Sequence, residues 1–141
     1  MKQRITAQQL LQFNHTQRTK LLEYYKPQIG DLVLEINLDI NSNFNVLKIV
    51  DSNIFIETQC SRYDKLYKDT NYNIIFLPLL SIGQCLELLE KENCYLTTEN
   101  IKGNNIYNIL RYDALKNRHI GVVIDYPELI DALIAALLYV L

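Results

Sequence analysis

The chain has 141 residues, of which 49% are hydrophobic and 21% charged, and its formal net charge is -2. That length fits one domain with a core of its own, needing neither disulfide nor metal to hold it. The slightly acidic balance argues against an extended nucleic acid as partner, because neutralising phosphates takes clustered Lys and Arg.

Thr6 is placed to cap a helix from Ala7 to Phe13. Asn14 or Thr16 is placed to cap a second, running to Tyr25, with Leu21, Leu22 and Tyr25 at helical spacing. Pro27 stops it, and Gly30-Asp31 makes a turn. Three strand-like runs follow: Leu32 to Asn37, Phe44 to Val50 and Ile54 to Gln59. Polar connectors, Leu38 to Asn43 and Asp51-Ser52-Asn53, predict an antiparallel meander. Cys60 to Asn73 lacks a regular period and reads as a loop with at most one helical turn.

Ile74 to Leu77 is a brief apolar run ending at Pro78. Ser81 then caps an amphipathic helix from Ile82 to Glu92, with Ile82, Cys85, Leu86 and Leu89 on one face. Lys102-Gly103-Asn104-Asn105 signals a turn. Ile106 to Tyr112 and His119 to Ile124 read as two strands joined by the polar loop Asp113 to Arg118. The last helix opens with Asp125 or Tyr126 as cap and Pro127 at the first helical position. From Leu129 to Leu141 nearly every position is apolar, so this helix is either enclosed or shared with a second subunit of a homo-oligomer. The expected fold is α+β in a single domain, 1–141, with about five short antiparallel strands, a central amphipathic helix and an apolar C-terminal helix.

The N-terminal ten residues lack an apolar signal core, and no run reaches the ~18 apolar residues that span a bilayer, so the expected location is the cytoplasm, with no membrane partner. The cysteines, Cys60, Cys85 and Cys94, are odd in number and show no CxxC spacing, which suits reduced thiols better than disulfides or zinc.

Two stretches carry a resemblance. Lys26-Pro27 followed by Gly30-Asp31, after the helix Thr16 to Tyr25, is one. Pro78-Leu79-Leu80-Ser81-Ile82-Gly83-Gln84 is the other. Both resemble small proteins encoded by phages and prophages of low-GC Gram-positive bacteria, as does the closing Glu128 to Leu133. Where that group has a Trp pair, this chain has Tyr24-Tyr25. The resemblance implies a phage origin. The group has no assigned activity, so it supplies no catalytic residue.

His15 and His119 have no Cys, Asp or Glu at ligand spacing, and neither a Gly-x-Ser-x-Gly elbow nor a Gly-rich phosphate loop is present. A Cys94–His119 nucleophile pair has nothing in the sequence to recommend it. The expectation is a protein without catalytic residues, metal or cofactor. Two polar segments carry the most suggestive chemistry. One holds Arg62, Tyr63, Lys65, Tyr67, Lys68 and Tyr72; the other holds Arg111, Tyr112, Lys116, Arg118 and His119. Arg clamps phosphate and Tyr stacks on a base, so together these residues would suit a small anionic nucleotide. The plainer reading is that the charges solvate loops while the tyrosines cover core edges.

With phage origin, three functions follow as expectations. The first is a sponge that sequesters a small nucleotide immune signal. The second is a protein-binding inhibitor of a host defence enzyme such as a CRISPR effector. The third is a structural or accessory phage component.

Overall fold

Reciprocal capping opens three of the four helices in the computed structural model, which describes residues 4–26, 28, 30–37, 44–49, 56–57, 62–63 and 74–141. Thr6 caps α1 (Ala7–Leu11), Asn14 caps α2 (His15–Tyr24) and Ser81 caps α3 (Ile82–Lys91). In each case the cap side chain accepts from the backbone N–H three residues on, and a glutamine there (Gln9, Gln17 or Gln84) accepts from the cap's own N–H. Two donors that the helix cannot satisfy internally are thereby paired.

The described strands number eight, in two antiparallel sheets. One has the order β4-β3-β2-β1-β5, built from β1 (Leu32–Asn37), β2 (Phe44–Ile49), β3 (Ile56–Glu57), β4 (Arg62–Tyr63) and β5 (Ile74–Pro78). The other has the order β6-β7-β8, from β6 (Cys94–Ile101), β7 (Asn104–Asp113) and β8 (Arg118–Tyr126). The last helix, α4, is Leu129–Val140. The α+β class and the antiparallel pairing are as expected from the sequence. The strand total exceeds the expected five because β6 and the short β4 pair where no strand was expected and the brief apolar run from Ile74 forms β5.

The chain forms two compact units, Thr6–Leu79 and the described residues of Met1–Ile5 with Leu80–Leu141. In the first, β1 lies between β2 and β5, with Leu34 opposite Val46 on one side and Leu77 on the other. Pro78 falls at the end of the edge strand β5, where a missing N–H breaks no ladder. Leu10, Phe13, Leu21, Val33, Leu34 and Leu77 are the most deeply buried apolar residues described in this unit, joined by Tyr25 and Leu79. Asp31 is buried beside them and accepts hydrogen bonds from the Tyr25 hydroxyl (2.6 Å) and the Gln28 N–H (3.0 Å). The connectors 38–43 and 51–53, Pro27, Cys60 and most of the Cys60–Asn73 stretch lie outside the described residues.

In the second unit, α3 and α4 pack on each other; α3 also packs against β6, and α4 against β7 and β8. The apolar C-terminal helix is enclosed: Ile130, Ala132, Leu133, Ile134, Ala136 and Leu137 are all buried. Each large aliphatic side chain removed from water contributes roughly 1.5–3 kcal/mol. The helix starts later than expected. Glu128 is its N-cap, in extended conformation and without a side-chain cap bond, and Pro127 stands outside the helix. The reason lies in β8, which runs on through Tyr126, paired with Tyr107, so that Asp125 and Tyr126 belong to the sheet and do not cap the helix.

The β6–β7 turn follows from two residues. Ile101 pairs with Asn104, leaving Lys102 and Gly103 as a two-residue loop with φ of 53° and 84°. Positive φ at both positions defines a type I′ turn, whose twist matches that of the strands it joins.

Candidate functional site

Strand register decides which side chains of β6, β7 and β8 can meet, because directly opposed residues share a face. Cys94 pairs with Arg111, and Arg111 with Ile120. Ile109 pairs with Val123, and both are buried. This face receives the helices. The opposite face carries Tyr95 and Leu110, paired with each other, and Tyr112 paired with His119. It is exposed: Tyr95 retains 39% and Tyr112 44% of its accessible surface.

On that exposed face two tyrosine rings pack on one imidazole. The Tyr95 hydroxyl and His119 Nδ1 are 2.6 Å apart, with the rings edge-on at a centroid separation of 5.2 Å. Tyr112 packs on the same imidazole, with ring centroids 5.3 Å apart and the planes tilted. The Tyr112 hydroxyl donates to the Asn117 side chain, which ties these rings to the β7–β8 turn. Edge-to-face contacts of this kind add about 0.5–1.5 kcal/mol when buried and less when wet.

Strand β8 reaches this arrangement through two irregularities. The register slips between Tyr107 and Ile109 and again between Ile109 and Leu110. The first slip contains Asp125, whose N–H has lost its ladder partner and donates instead to Oδ1 of buried Asn108 (2.9 Å). That bond explains a polar side chain in the interior. Gly121 lies opposite Leu110 on the exposed face, and a Cβ there would come within 2.9 Å of Ile124 Cγ1.

Where the β7–β8 turn meets the end of α4 there is a cavity of about 340 Å³, lined by Arg111, Tyr112, Asp113, Ala114, Leu115, Ile120, Gly121, Val122 and Tyr139. Its volume falls in the lower part of the range of about 300–1,000 Å³ typical of small-ligand sites. Leu115 is 99% exposed and Tyr139 71% exposed, so two apolar bodies stand in water at its edge. Asp113 Oδ1 accepts from the N–H groups of Leu115 (3.0 Å) and Lys116 (3.2 Å), which fixes the turn. Arg111 lies 4.0 Å from Glu92. With the guanidinium half exposed, this ion pair leaves it available to other acceptors and is worth little by itself.

Burial pushes the Cys94 thiol above its ordinary range; the nearby Arg111 guanidinium pulls it down and Glu92 pushes it up. Cys94 faces the helices, whereas its neighbour Tyr95 reaches His119 on the opposite face, so strand alternation separates this thiol from the imidazole. Burial drives the Cys85 thiol up to about 12. Both thiols are therefore protonated near neutrality and poor nucleophiles. Among the described residues no group of three or more His, Cys, Asp and Glu side chains could hold a metal ion. No described helix is long and apolar enough to cross a membrane.

Of the residues expected to make a site, Arg111 and Tyr112 line the cavity, while His119 packs on Tyr112 at the exposed face. Arg118 opens β8 opposite Asp113. Arg62 and Tyr63 form β4 in the other unit, and Lys65, Tyr67, Lys68 and Tyr72 lie outside the described residues. Sequence reasoning missed Tyr95, Leu115 and Tyr139. Tyr95 could have been found by pairing strands outward from the Lys102-Gly103 turn. Tyr139, one tyrosine in an apolar helix, carried no signal of its own.

No family model matches the chain, no curated protein matches its sequence, and no solved structure matches its fold.

Proposed function

We propose that the chain is a binding protein that takes a small nucleotide in the cavity between the β7–β8 turn and α4. The observation that carries this reading is the placing of the half-exposed Arg111 side chain and of Tyr139 around a concave space of ligand size, which Tyr112 also lines. A guanidinium offers paired donors to a phosphate, and a tyrosine face accepts a base regardless of its identity. Leu115 supplies an apolar surface at the edge, as ligand sites of mixed apolar and polar lining require.

The resemblance to phage and prophage proteins supports a setting for that binding. In the cytoplasm of an infected host, a protein that holds a nucleotide without turning it over lowers the concentration of an immune signal, which makes it a sponge. Thermal unfolding of the purified chain with a panel of cyclic and glycocyclic nucleotides tests this. A ligand at about one hundred times its Kd adds about 2.7 kcal/mol of stability. A raised Tm and a heat-stable complex are expected, and Arg111→Ala removes both while leaving the unliganded Tm in place. An unchanged Tm across the whole panel rejects the reading.

A second reading draws on the exposure of Leu115, Tyr139 and Ile124, the last at 58%. Exposed large apolar side chains also suit a protein partner. Here the chain inhibits a host defence enzyme, such as a CRISPR effector, and co-purifies with it.

A further inference from the structure

The charges around the cavity narrow the class of nucleotide. Its lining holds one cation, Arg111, and one carboxylate, Asp113. Glu92 stands 4.0 Å from the guanidinium and adds a second carboxylate. Asp113 Oδ1 accepts from two backbone N–H groups of the turn, so its carboxylate is held in place beside the cavity. Lys116 and Arg118, both exposed, follow in the same turn and at the start of β8. Neither lines the cavity, so the lining offers a single cation with two carboxylates close by.

We infer that the ligand of this cavity is a singly charged phosphodiester, such as a cyclic mononucleotide, and not a polyphosphate. The inference rests on the nucleotide reading given above. One phosphodiester takes the donors of Arg111 and matches its single charge. Each further negative charge has no second cation in the lining and approaches Asp113 or Glu92, where like charges repel. A neutral nucleoside keeps the stacking surface but leaves the charge-assisted bonds to Arg111 unmade.

Calorimetric titration of the whole chain tests this with four compounds for each common base: the nucleoside, its cyclic monophosphate, its 5′-monophosphate and its triphosphate. At neutral pH a phosphomonoester carries about -1.5 to -2 charge, which separates the two monophosphates. The cyclic monophosphate is expected to bind on the order of tenfold more tightly than the nucleoside, and about tenfold more tightly than the triphosphate. Asp113→Asn keeps the acceptor that fixes the turn and removes the charge, so it should narrow the gap between cyclic monophosphate and triphosphate. Tightest binding of the triphosphate, or equal binding of the nucleoside, overturns the inference while leaving the cavity a nucleotide site. Absence of binding by every compound overturns the nucleotide reading itself, and this inference with it.

Discussion

The Tyr95 hydroxyl sits 2.6 Å from Nδ1 of His119, across the intervening strand β7. With the phenol as donor, this bond favours the imidazole tautomer that carries its proton on Nε2. Tyr95→Phe keeps the ring and removes the hydroxyl. Because the pair is exposed, the loss in stability should stay below about 1 kcal/mol. Ring-nitrogen NMR at alkaline pH should show Nδ1 as the acceptor in the parent and a mixture of tautomers in the variant. Identical ring spectra would show that the bond does not set the tautomer.

Asn108 is the contrasting case. It is buried, and its Oδ1 accepts from Asp125 at the bulge in β8. Asn108→Ala leaves that N–H without its acceptor, which costs about 1–3 kcal/mol. Chemical denaturation should show a lower midpoint with an unchanged m-value. A cost as small as that of Tyr95→Phe would mean that solvent satisfies the bulge.

The β6–β7 turn can be improved. Lys102 holds a φ of 53°, a conformation that asparagine adopts more readily than lysine. Lys102→Asn creates Asn-Gly, the preferred pair for a type I′ turn, and should stabilise by about 0.5 kcal/mol. The check is a rise in Tm with an unaltered circular dichroism spectrum.

Much of this local architecture is legible in the sequence, for identifiable reasons. Thr6, Asn14 and Ser81 each stand three residues before a glutamine, and each opens a helix with both capping bonds made. The Lys102-Gly103 turn was equally readable, yet strand β6 before it was missed. Its run Cys94-Tyr95-Leu96-Thr97-Thr98 has β-favouring residues, but aromatic Tyr95 stands on the exposed face and polar Thr98 on the other, so apolar and polar positions do not alternate. The start of α4 was misplaced because Pro127 suits a first helical turn, while the pairing of Tyr126 with Tyr107 keeps the chain in β8 up to that point. The candidate site was half visible. Arg111 and Tyr112 stand together in the chain, whereas Tyr139 reaches the cavity only through the packing of α4 on β7 and β8.

The Cys85 thiol yields a pH dependence. It is fully buried, and burial raises it from 9.0 to about 12. Above pH 9 the unfolded chain releases this proton while the folded chain keeps it. The folded state then binds more protons, so stability falls as pH rises from about 9 toward 12, by up to about 1.4 kcal/mol per pH unit. Below pH 9 the contribution is fully present. Cys85→Ala loses packing at every pH but should flatten this alkaline slope, measured as the difference between the two proteins. Peptide mapping after brief alkylation near neutrality should find Cys85 unmodified in the folded chain and modified in denaturant.

The nucleotide site at the β7–β8 turn is the central claim, and an amide NMR titration of the labelled chain with a mixture of cyclic mono- and dinucleotides tests it most directly. The account predicts saturable shifts concentrated between Arg111 and Val122 and at Tyr139, lost in Arg111→Ala. Shifts confined to the Thr6–Leu79 unit, or none at saturating ligand, would contradict it.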